Sequence, residues 1–218
     1  MFRLKAFIIS CLLFIVLFLS AVEYQSLDYK FYRDFQKKEN LKEIYNIEKD
    51  LDKINTDLIK FLKVGDKDLI KDDFNNKEVR HLEDCYKIFK AGYILRDSCF
   101  IILIVLFFIN KNDLKDRLID KIIKYQIRIS VFILLFLGLL FMNFSKAFIK
   151  FHQIFFDNDL WLLDPNKDLL IQIMPEKFFI ENVIRIIVIF VILEIVVNLA
   201  FKKIMEARDV DPICDKSK

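Results

Sequence analysis

The sequence predicts an all-α, polytopic membrane protein, with four transmembrane helices and an extracytoplasmic helical loop domain. Three observations lead there. Of 218 residues, 55% are hydrophobic and 15% aromatic, with 24 phenylalanines against three glycines, which is too apolar for an ordinary soluble domain. Yet 30% are charged, too many for a chain lying wholly in a bilayer. The apolar residues also gather in four runs, about 5–22, 91–110, 129–145 and 179–201, each near the length that crosses hydrocarbon. The chain therefore reads as one integral membrane domain, 1–218. A net charge of +3 does not point to nucleic acid. Cys11, Cys85, Cys99 and Cys214 are scattered without a CxxC pair, and two histidines are too few to expect a metal site.

The first run, Phe7 to Ala21, follows Arg3 and Lys5. It reads either as a signal peptide, with Leu19-Ser20-Ala21 a weak cleavage site, or as a retained helix; the retained helix is the expectation. Ile8-Ile9-Ser10-Cys11 superficially matches a lipid-attachment box, but it precedes most of the apolar run and is rejected. From Glu23 to Leu95 the chain turns polar, with 15 Lys/Arg and 16 Asp/Glu. There Leu41, Ile44, Ile47, Leu51, Ile54, Leu58 and Phe61 recur at steps of three and four, predicting one amphipathic helix that Gly65 ends. A second helix is expected from Asn75 or Asn76. It places Glu78, His81 and Asp84 on one face, with Cys85 four residues from His81.

The second span, 91–110, holds Arg96 and Asp97, and charges at membrane depth usually face protein or a wet cavity. A basic connector follows over 111–128, with six Lys/Arg against three Asp. Beyond the third span, the segment 146–178 carries His152, the only tryptophan (Trp161), Pro165, Pro175 and rings at Phe151, Phe155, Phe156 and Phe178. Such aromatics suit a membrane–water interface. Asp164-Pro165 reads as the cap and first position of a short helix running through Asp168 to Ile173. The fourth span has Arg185 near one end and Glu194 deeper, where a structural role is expected.

Lys/Arg bias places both termini and 111–128 in the cytoplasm, and 23–90 and 146–178 outside. His81 and His152 then face the same side. An unbroken helix would hold His81 about 20 Å above Arg96, so a break at Gly92 is expected to bring the histidines together. Two imidazoles converging at one leaflet point to general acid–base chemistry.

The residues Glu78-Val79-Arg80-His81-Leu82-Glu83-Asp84, preceded by Phe74, resemble one signature of the lipoprotein intramolecular transacylases, a bacterial four-span membrane family. Phe151-His152, followed by Phe155-Phe156, Trp161, Asp164-Pro165, Asp168, Ile171, Pro175 and Phe178-Phe179, resembles its other hallmark. The resemblance covers nearly the whole chain, and the two motifs are specific only together. Cys85 departs from it, standing where a small aliphatic residue is expected. The resemblance implies an acyltransferase of the bacterial cytoplasmic membrane. One acyl chain would move from the sn-2 oxygen of a diacylglyceryl lipoprotein to the α-amine of its N-terminal cysteine.

Diacylglyceryl-modified lipoproteins and membrane lipid would be the partners, and no cofactor is implied. Ester-to-amide conversion runs downhill, so the enzyme's main task is near-attack geometry. His81 and His152 would be the catalytic pair, with base and acid unassigned. Glu78, Asp84, Asp164 and Asp168 are candidates to support or orient it, although Asp164 also reads as a cap. Phe151, Phe155, Phe156 and Trp161 would grip lipid. Arg96 and Arg185 would bind the substrate's polar neck or form internal ion pairs. A lipid hydrolase using Cys85, or a non-enzymatic membrane partner or sensor, are the alternatives; no Gly-x-Ser-x-Gly elbow is present.

Overall fold

A computed structural model describes residues 2–110 and 117–210. Expectations for 111–116 of the connector, for Cys214 and for the tail beyond 210 lie outside the described residues. Among the described residues nine α-helices follow one another: α1 (Phe2–Ser26), α2 (Tyr29–Lys38), α3 (Leu41–Ile44), α4 (Leu51–Val64), α5 (Asn76–Ile109), α6 (Arg117–Phe141), α7 (Phe144–Phe155), α8 (Leu169–Ile173) and α9 (Glu176–Val210). Among the described residues there is no strand. Helices α1, α5, α6 and α9 are long and apolar enough to cross a membrane. In α5 the charges from Lys77 to Lys90 confine the apolar, crossing stretch to residues from about 91 onward. The chain divides into two compact units: 1–21 with 94–139 and 187–218, and 22–93 with 140–186.

In the first unit, α1 buries Ala6, Ile9, Ser10, Leu13 and Leu17, a helical stripe. Ser10 Oγ lies 2.8 Å from the Ala6 carbonyl and 3.0 Å from that of Ile122, the close approach that small residues allow between membrane helices. Phe14 and Phe18 meet Phe190 edge-on at 5.3 and 5.9 Å. Rings and branched chains such as Phe108, Phe132, Leu135 and Ile192 point outward, as suits a lipid solvent. Ser130 Oγ donates to Glu194 Oε1 at 2.5 Å, so the buried carboxyl is held inside the bundle.

In the second unit the expected stripe from Leu41 to Phe61 is not one helix. Asn46 takes a left-handed φ of 51°, and Asp50 caps a new helix by accepting from the Asp52 and Lys53 N–H groups. Asn and Asp offer the backbone local hydrogen bonds that compete with helix continuation, and Ile44 is left exposed. Gly65 closes α4 as expected, with φ 78° and its N–H on the Phe61 carbonyl. Gln36 and Asn55 exchange reciprocal amide bonds of 3.0 and 2.7 Å, pinning α2 to α4. Phe178 fills the core against Phe31, Tyr32 and Phe35 at 4.9, 4.9 and 5.3 Å.

Three further local expectations are corrected. Helix α5 runs unbroken through Gly92. One glycine costs about 1 kcal/mol against alanine, too little to interrupt a cooperative 34-residue helix. The third crossing helix ends at Phe141, not at 145, because Asn143 caps a separate α7 through the Lys146 N–H at 3.2 Å. Finally, 165–167 form a turn, and α8 begins only at Leu169, after Asp168.

Candidate active site

Asn75 and Glu78 start the helix that carries His81. Asn75 Oδ1 accepts from the Lys77 and Glu78 N–H groups, while Glu78 Oε2 accepts from the Asn75 N–H at 2.8 Å, a reciprocal capping box. His81 lies one turn along α5. His152 lies two turns along α7, which the Asn143 cap initiates. Both elements belong to the second unit, and their imidazoles come to 6.0 Å between ring centroids. No bend at Gly92 is needed, since α7 itself delivers His152 to the His81 face of α5.

Both histidines are buried, at 6% and 8% exposed. His152 Nδ1 lies 2.7 Å from the Phe148 carbonyl oxygen. A carbonyl only accepts, so Nδ1 carries the hydrogen and the neutral ring keeps its lone pair on Nε2. His81 Nε2 lies 3.6 Å from Cys85 Sγ, and its Nδ1 is buried with no protein partner. Burial, helped by the neighbouring His152, pushes the His81 pKa down to about 4. Burial also lowers that of His152. Both rings are therefore neutral near pH 7 and available to take protons.

The rings are boxed by aromatics. Phe156 packs edge-on to His81 at 5.1 Å and Trp161 lies over His152 at 4.9 Å, while Phe148 backs His152 at 4.3 Å. A cavity of about 140 Å³ opens beside them, walled mainly by Leu58, Leu82, Phe89, Met174 and Phe179. Its lining comes wholly from the second unit. Phe151 lies tilted against Phe155 at 4.6 Å and edge-on to His152 at 5.5 Å; both phenylalanines are on the exposed side of α7, outside that lining.

None of the four carboxylates expected to support the histidines hydrogen-bonds an imidazole, although the charge of Asp84 acts on His81. Glu78 is 1% exposed, and its other oxygen accepts from the Leu170 N–H at 2.6 Å, which ties α8 to α5. Asp84 accepts from Asn158 Nδ2 at 2.9 Å and pairs with Lys87 at 2.7 Å. Asp168 accepts from Asn75 Nδ2 at 2.8 Å and from the Asp164 N–H at 2.7 Å, and Asp164 closes the turn by accepting from the Asn166 N–H. Lys77 Nζ donates to the Leu162 carbonyl. These bonds hold the segment around Trp161 against the start of α5; none of them reaches an imidazole. Arg96 bonds the adjacent Asp97 at 2.9 Å. Arg185 lies 4.8 Å over the Phe31 ring, outside the cavity lining.

Sequence reasoning missed Asn182. This buried amide lines the cavity, and its Oδ1 has no partner. A lone amide one turn inside an apolar run was the available signal. Cys85 also lines the cavity; burial pushes its thiol up to about 12, so it is not a ready thiolate.

A family model described as lipoprotein intramolecular transacylase Lit matches residues 7–179. Among solved structures, the membrane integral lipoprotein intramolecular transacylase Lit from Bacillus cereus superposes with a TM-score of 0.82 at 20% identity, covering 96% of this chain and 98% of the other. A variant of that protein with a histidine-to-arginine substitution also gives 0.82, at 18% identity over 97% and 95% of the two chains. A histidine-to-alanine variant gives 0.81, at 18% identity over 96% of each. No curated protein sequence matches.

Proposed function

Since this chain belongs to the lipoprotein intramolecular transacylase family, a family of membrane acyltransferases, we propose that it acts on diacylglyceryl lipoproteins with His81 and His152 as its acid–base pair. One acyl chain leaves the sn-2 glycerol oxygen and joins the α-amine of the same N-terminal cysteine. The observation that carries this reading is the pair of buried, neutral imidazoles 6.0 Å apart beside one apolar cavity.

Nucleophile and ester belong to one substrate molecule, so the protein gains most by holding the two in near-attack geometry. The amine nitrogen attacks the ester carbonyl carbon, forming N–C as C–O breaks. A proton must leave the nitrogen and one must reach the glycerol oxygen. His152 suits the first task, because its Nδ1–H is engaged with Phe148 and its Nε2 lone pair is free. His81, facing the same space and neutral at rest, takes a first proton from the substrate ammonium before the attack and returns it to the leaving oxygen, while His152 takes the second. Apolar walls accept the acyl chain and exclude water, which would otherwise compete as acceptor. Glu78, Asp84, Asp164 and Asp168 act at one remove, by keeping Trp161 and Phe156 over the rings. Phe151 and Phe155 face lipid. The Lys/Arg bias supports termini in the cytoplasm and a site on the extracytoplasmic side of the bacterial cytoplasmic membrane.

The test is to express His81→Ala and His152→Ala beside wild type and read a resident lipoprotein's N-terminus by mass spectrometry. Loss of the N-acyl form in each variant is expected. Retained N-acylation in both overturns the acid–base assignment.

A further inference from the structure

The proposed reaction leaves the buried amide of the cavity, Asn182, without work. Asn182 is 8% exposed and stands on α9 three residues after Phe179. The Phe179 ring packs on Phe148 at 5.1 Å, and Phe148 lies 4.3 Å from His152. Asn182 lines the same cavity as both histidines. Among the described residues its side chain makes no hydrogen bond, and Oδ1 is sealed from solvent. A buried amide without partners is destabilising, and a leucine, branched at the same carbon, would avoid that. Polar residues kept inside an apolar membrane run mark places where something binds.

The end of the amide not sealed in the protein is its –NH₂, a donor with no acceptor in this apolar surrounding. Its complement is a carbonyl oxygen that arrives with an acyl chain. We propose that Asn182 is a substrate-binding residue whose amide N–H donates to an ester carbonyl of the diacylglyceryl group, holding the ester beside His81 and His152. This rests on the function proposed above. It also explains how a cavity with mostly apolar walls distinguishes a glyceryl ester from any other lipid chain.

The test uses the purified full chain in lipid nanodiscs and two probes: a dipalmitoylglyceryl-cysteine lipopeptide and its dialkyl ether analogue, which lacks both carbonyls. Binding is read from the fluorescence of Trp161, the only tryptophan, which lies 4.9 Å from His152. Wild type is expected to prefer the ester over the ether by about threefold to tenfold, the worth of one net hydrogen bond. In Asn182→Leu the preference should vanish, while the melting temperature stays level or rises because an unsatisfied amide has gone. Asn182→Met, which fills the site and has no donor, should behave likewise in binding. An ester-to-ether preference unchanged in both variants, or absent in wild type, overturns the proposal. A wild type that shows the Asn182-dependent preference yet forms no N-acyl product instead refutes the transacylase reading and leaves the ester contact standing.

Discussion

Replacing Glu78 separates two roles that the sequence does not distinguish: orienting His81 or building the scaffold. Both carboxylate oxygens accept backbone hydrogen bonds, from Asn75 N–H at 2.8 Å and Leu170 N–H at 2.6 Å, in a side chain only 1% exposed. Glu78→Ala strands both donors where water cannot serve them. At about 1–3 kcal/mol for each orphaned group the loss is roughly 2–6 kcal/mol, a large part of a stability of order 5–15 kcal/mol. Glu78→Gln keeps the shape and one acceptor but turns an –NH₂ toward a backbone N–H, for a loss of about 1–3 kcal/mol. The assay pairs thermal unfolding of the purified protein with turnover per folded molecule across pH, read as N-acyl product by mass spectrometry. For Glu78→Gln the expectation is a lower melting temperature, turnover within about tenfold of wild type and an unshifted pH profile. An unchanged melting temperature together with a hundredfold loss and a shifted profile would refute the scaffold role and put the carboxylate to work on an imidazole.

Cys85→Ala should retain most transacylation, because a thiol pushed up to about 12 and 3.6 Å from His81 is neither nucleophile nor strong partner; abolished turnover would make the thiol a participant in the reaction. Phe178→Ala should cost about 3–5 kcal/mol, since the ring is 1% exposed and touches four others, and denaturant titration of the purified protein checks it. Stability should fall on acidification below about pH 6.5. The folded His81 titrates near 4, so between those values the unfolded chain binds the extra proton and stability rises with pH; the His81 share is roughly 3 kcal/mol when fully lost. Melting curves from pH 7.5 to 4.5 should therefore be flatter for His81→Asn than for wild type, and equal slopes would count against a buried neutral imidazole.

Much of this protein follows from interactions within four residues along the chain, and these the sequence determined by itself. Apolar run length specified four crossing helices. Gly65 specified the end of α4, and the Asn75–Glu78 spacing specified the start of α5. The rarity of histidine singled out His81 and His152. Even local reading had limits: Gly92 looked like a hinge, but hydrogen bonds on either side outweigh its small helical penalty.

The tertiary structure decided which donor each acceptor meets, a competition among groups far apart in sequence. Glu78 is nearer in sequence to His81 but takes the N–H of Leu170, 92 residues away. Asp168 reaches back 93 residues to Asn75, and Asp84 reaches forward 74 to Asn158. A carboxylate enclosed in a core takes whichever hydrogens the packing presents, and orphaned backbone N–H groups are the most demanding of these. The same packing set two imidazoles from different helices side by side. It also left Asn182 facing the cavity without a partner, which no periodicity or capping rule could foretell.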